Sequence, residues 1–112
     1  MEKDKNKPVE VFYRVLFPER QEHYVQARAE KISYGGMLIM SSRDLMVESL
    51  IEIEMIVDAS EEAEKLKLLA EVKWSKKDES SGTFSAGVFF LLPTAGRMFQ
   101  LFKEKNLNII RK

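Results

Sequence analysis

The stretch Lys31-Ile32-Ser33-Tyr34-Gly35-Gly36-Met37-Leu38-Ile39-Met40 decides how this chain is read. A polar–apolar alternation from Val25 runs into it, and a continuous apolar run, Met37 to Met40, runs out of it. Alternation at period two marks a half-buried strand, and a short apolar run bounded by turn residues is consistent with a buried one. Ser33, Tyr34, Gly35 and Gly36 between them have turn chemistry. Glycine adopts φ > 0 without steric cost, and serine bonds nearby backbone. Two strand signals around such residues predict a hairpin or tight corner. The corner bares backbone N–H groups and a hydroxyl with no large side chain in the way. It serves as a plain turn or as a ligand-facing surface, and the residues alone leave both open.

Upstream, Val9 to Phe17 (VEVFYRVLF) is rich in β-branched and aromatic residues and stops at Pro18. Period two puts Val9, Val11, Tyr13, Val15 and Phe17 on one face. Tyr24 to Ser33 carries Val25, Ala27 and Ala29 on one face, and the alternation slips near Ile32, as at a bulge or corner. Downstream, Ser49 to Val57 predicts a strand with Ile51, Ile53 and Met55 together. Asp58 to Glu64 carries four acids and no base, which predicts an exposed connection. It lacks the spaced pattern of a calcium loop. Leu66, Leu68, Ala70, Val72 and Trp74 alternate next, and Ser75 to Gly82 reads as a polar loop. Thr83 to Leu91 puts Phe84, Ala86, Val88 and Phe90 on one face, with Gly87 opposite as the sign of a bulge or a close backbone approach. After Pro93 the period changes. Thr94 is an N-cap candidate, and Met98, Leu101 and Phe102 recur at helical spacing with Arg97, Lys103 and Lys105 outside.

About six short strands and then one helix predict an all-β fold, a small sheet that closes or nearly closes. The expected organisation is a flexible segment over 1–7, one domain over 8–106, and a tail or short extra strand over 107–112. The 112 residues suffice for one hydrophobic core. Eighteen Lys plus Arg balance eighteen Asp plus Glu, so no bulk charge grips DNA, RNA or an anionic membrane. The absence of cysteine removes disulfides and thiolate nucleophiles, and a single histidine, His23, argues against a histidine metal cluster or a Ser-His-Asp triad. No metal site and no cofactor is expected. No apolar run has the length of a membrane span, and the first seven residues lack the apolar core of a signal peptide, so the expected location is cytoplasmic.

The order of elements and the central turn together resemble the PilZ domain family. Lys31-Ile32-Ser33-Tyr34-Gly35-Gly36 matches the family's DxSxxG (or NxSxxG) turn at Ser33 and Gly36, with Lys31 where the acid or amide belongs. Leu66 to Trp74 is similar to the family's hydrophobic strand ending in tryptophan, and Ser85-Ala86-Gly87-Val88-Phe89-Phe90 to its small-Gly-Val-x-Phe strand. The resemblance covers roughly residues 3–105. It implies an all-β fold, a small six-stranded antiparallel β-barrel of the split-barrel type with a C-terminal α-helix, that binds the bacterial second messenger cyclic di-GMP. The implied ligand-binding residues are Lys31, Ser33, Tyr34, Gly35 and Gly36, with Lys3 and Lys7 at the spacing of the family's N-terminal RxxxR segment and Arg14 and Arg20 as further basic contacts. The departures carry weight. Lysine supplies charge without the planar fork that reads guanine, and Lys31 cannot accept a hydrogen bond.

Two functions follow from the resemblance. One is a non-catalytic cyclic di-GMP receptor or adaptor in second messenger signalling, its nucleotide grip weakened. The other is a degenerate module that regulates motility, pilus or surface-associated machinery through protein contacts, without the nucleotide. Phe99, Leu107, Ile109 and Ile110 are its candidate contacts, and a homodimer through the C-terminal helix is a variant of it. An enzyme is not expected. Glu52 and Glu54 share a strand face, but nothing pairs a nucleophile with a base.

Overall fold

The β-branched and aromatic run before Pro18 forms the first strand, β1 (Val9–Phe17). It is followed by β2 (Val25–Glu30), β3 (Gly36–Ser41), β4 (Leu50–Ala59), β5 (Glu62–Lys77) and β6 (Phe84–Leu92). The computed structural model describes residues 9–59 and 62–92. The expected C-terminal helix, the segments 1–7 and 107–112, and the candidate contacts Phe99, Leu107, Ile109 and Ile110 lie outside them.

All neighbouring strands pair antiparallel, and the sheet closes in the order β1-β2-β3-β6-β5-β4. The expectation of a closed six-stranded antiparallel barrel holds. Closure removes open strand edges. Inward positions alternate as the sequence indicates. Val11 and Tyr13, Ala27 and Ala29, Ile51, Ile53 and Met55, and Ala86, Val88 and Phe90 are buried in one core. Tyr13 brings a hydroxyl into that core and satisfies it on Ser41 Oγ at 2.9 Å. Burial pushes the tyrosine's pKa up. Leu45, from the β3–β4 connection, is also buried with these residues.

Three local departures have physical causes. The acidic stretch 58–64 is not a long loop: β4 runs to Ala59 and β5 starts at Glu62, with Asp58 opposite Ala63. Antiparallel pairing overrides weak strand propensity there. Phe17 leaves the core face because the β1–β4 register shifts between Val15 and Phe17. Trp74 also leaves it, because the β5–β6 register shifts between Val72 and Trp74. The indole is 47% exposed on the outer surface, where simple alternation would have buried it.

The corner between β2 and β3 explains the slip at Ile32. Lys31 takes a left-handed conformation, φ 52, and this extra step returns Ile32 to the core after Ala29. Neither Gly35 nor Gly36 has a positive φ, so conformational freedom is not why glycine stands there. At Gly36 the reason is contact. A Cβ would come closer than 3.0 Å to the Val88 carbonyl oxygen of β6. At Gly35 a Cβ would meet nothing within 4 Å.

Candidate functional site

The corner is tied together by one side chain. Ser33 Oγ accepts from the N–H groups of Gly35 and Gly36, each at 3.3 Å, and donates to the Gly36 carbonyl at 3.2 Å. The Ser33 N–H donates to the same carbonyl at 2.8 Å, and the Gly35 carbonyl accepts from Phe90 N–H at 2.7 Å. The sequence suggested a corner that bares its hydroxyl and amides. Those of Ser33, Gly35 and Gly36 are instead hydrogen-bonded within it. Its contribution to a site is shape, a low rim that lets a ligand approach.

That rim borders an open groove of about 520 Å³ on the outside of the barrel. The volume lies within the roughly 300–1,000 Å³ of small-ligand sites. Pairing explains what fills the groove floor. Leu38 of β3, Gly87 of β6 and Trp74 of β5 stand abreast, and Gly36 stands opposite Phe89. Gly87 leaves room for the indole. A Cβ there would lie 2.5 Å from Trp74 Cε2, 2.9 Å from Cδ1, and closer still to Nε1. Phe89 is 49% exposed beside it. Two ammonium groups complete the groove, Lys31 at the rim and Lys73, whose Nζ lies 5.6 Å from the Phe89 ring centroid and 3.4 Å from Glu71 Oε1. A pair of half-exposed rings flanked by lysines can stack on flat ligands and attract anions.

Of the residues singled out in the sequence, Lys31, Ser33, Gly35 and Gly36 line this groove. Tyr34 is half-buried and packs against the core. Lys3 and Lys7 lie outside the described residues. Arg14 and Arg20 are elsewhere. Arg20 is exposed in the β1–β2 connection. Arg14 projects from β1 five residues beyond Val9, about 17 Å along the strand from the end that carries the corner. Trp74, Lys73 and Phe89 were not named as candidates. Gly87 and the tryptophan at the strand's end were the signals, but the register shift that turns the indole outward is a pairing feature with no local mark.

Arg14 belongs to a separate outer cluster. Its Nε donates to Glu52 Oε1 at 2.9 Å, and the Tyr24 hydroxyl donates to the same oxygen at 2.7 Å. The guanidinium lies 5.0 Å from the Tyr24 ring centroid. Burial and then the bond to Glu52 push the Tyr24 phenol up to about 12. The hydrogen bond from Tyr24 holds the Glu52 carboxyl below its ordinary range. The cluster pins the β1–β2 connection to the wall and has the character of a brace.

Among the described residues, no group of three or more His, Cys, Asp or Glu side chains is placed to hold a metal ion, and no helix is long and apolar enough to cross a membrane. No protein-family model matches the sequence, and no curated protein matches it.

Proposed function

We propose that this chain is a cytoplasmic, PilZ-like receptor or adaptor module of the split-barrel type, non-catalytic, that takes cyclic di-GMP in the groove beside the Ser33–Gly36 corner. One observation carries the reading: the corner, two ammonium groups and two half-exposed aromatic rings meet in a single open groove. Aromatic stacking contributes roughly 1–3 kcal/mol per base, and lysines pair phosphates as point charges. Val9 stands at the same end of the barrel as the corner, since Val9 pairs with Ala29 and Glu30 with Leu38. Lys7 and Lys3 precede Val9 by two and six residues, at most about 7 and 21 Å of extended chain.

A second reading draws on Lys31. With a donor where the resemblance calls for an acceptor, the aromatic face docks a protein of the motility, pilus or signalling machinery and no nucleotide. A titration separates the two. Trp74 is the sole tryptophan and reports directly on the groove. Cyclic di-GMP should change its emission saturably with a Kd below about 100 μM. Gly35→Glu should abolish that response without loss of stability, because a Cβ at Gly35 meets nothing within 4 Å and Gly35 lines the groove, so the substitution sets a negative charge beside an anionic ligand. Unaltered emission, and unaltered heat in calorimetry, up to that concentration would leave the protein-docking reading.

A further inference from the structure

We infer that the groove accepts cyclic purine dinucleotides with little regard to the base, adenine as readily as guanine. The inference rests on the receptor reading above and sharpens its ligand. Guanine presents N–H donors at N1 and N2 beside its O6 acceptor, whereas adenine presents an acceptor at N1 and a donor at N6. A side chain that accepts from the guanine donors is the direct way to tell the two apart, and Asp, Glu, Asn or Gln supplies one.

No such side chain lines the groove among the described residues. Lys31 holds only donors, and an ammonium, lacking the planar fork that engages guanine O6 and N7 together, can settle on N7, an acceptor that both purines present. The Ser33 hydroxyl already donates to the Gly36 carbonyl, and the Gly35 and Gly36 amides already point at Ser33 Oγ. Glu71, whose carboxylate comes close through Lys73, is paired with that lysine at 3.4 Å. What the groove offers is ring faces and positive charge. Every base has a π-face, and a phosphate carries no information about its base. The contacts that remain therefore fix the ligand without reading it.

The test is a pair of Trp74 fluorescence titrations at one ionic strength, with cyclic di-GMP and cyclic di-AMP, on the wild-type chain and on Lys31→Asp. Lys31 is exposed and left-handed, a conformation aspartate tolerates, so the variant keeps its corner. The wild type should bind both ligands with Kd values within about threefold. Lys31→Asp, by restoring an acceptor, should prefer the guanine ligand by about tenfold, the discrimination of one good base contact. A wild-type preference of about tenfold or more for cyclic di-GMP overturns the inference and leaves the receptor reading standing. An unchanged ratio in Lys31→Asp also overturns it. Silence toward both ligands overturns the receptor reading and this inference with it.

Discussion

Gly87→Ala tests how the groove floor is built. The new Cβ would lie 2.5 Å from Trp74 Cε2 and 2.9 Å from Cδ1, whereas carbon atoms rest at about 3.5 Å or more. The indole must retreat by about 1 Å or swing off the sheet. A fully buried tryptophan removes roughly 150–250 Å² from water. At 47% exposure about half of that is covered, on the order of 100 Å², or about 2.5 kcal/mol at 25 cal/mol per Å². Partial lift-off forfeits some of it, and alanine recovers about 0.5 kcal/mol of the backbone entropy that glycine loses in a strand. The net expectation is a loss of about 1 kcal/mol, a Tm lower by about 4 °C. Urea unfolding measures the loss, and a red-shifted emission reports the freed indole. The decisive arm is a double-mutant cycle. In a Trp74→Ala background the same substitution should stabilise by about 0.5 kcal/mol, a coupling of about 1.5 kcal/mol. Equal cost in both backgrounds, or wild-type emission in Gly87→Ala, would refute the packing of Trp74 over Gly87.

The two corner glycines should respond oppositely to alanine: Gly36→Ala should cost about 3 kcal/mol in chemical denaturation, because Val88 backbone cannot yield, while Gly35→Ala should be neutral within about 0.5 kcal/mol. The Tyr24–Glu52 pair should shape the pH profile of stability. Tyr24 contributes fully below its ordinary 10.0 and loses that contribution between about 10 and about 12, whereas Glu52 contributes above its ordinary 4.5 and loses it as pH falls through its lower folded value. Tyr24→Phe should flatten the alkaline limb in a thermal-melt series and cost about 1 kcal/mol near neutrality, the low end for a partly exposed hydrogen bond to a charged group.

Much of the barrel was legible because its inward faces keep strict period two over five or more residues. Val11 with Tyr13, and Ile51 with Ile53 and Met55, needed nothing but alternation to be placed inside. Pro18 and the glycine corner supplied the breaks. What was not legible depended on partners across the sheet. The acids of 58–64 read as solvated loop until β4 and β5 pair through them. Trp74 continues the alternation of Leu66 to Val72 in the sequence, and the register shift after Val72 sends it outward. That one shift separates a core residue from the floor of the candidate site. The corner glycines were placed correctly for a different reason, since contact with Val88 and not a left-handed backbone excludes a side chain at Gly36. The predicted helix after Pro93 lies outside the described residues.

The most direct measurement is a two-dimensional amide NMR titration with cyclic di-GMP. Shift changes should cluster on Lys31, Gly35, Leu38, Lys73, Gly87, Phe89 and the Trp74 indole N–H, and leave Arg14, Tyr24 and Glu52 unmoved. Changes centred on the Arg14 cluster, or none at saturating ligand, would contradict a nucleotide groove beside Ser33.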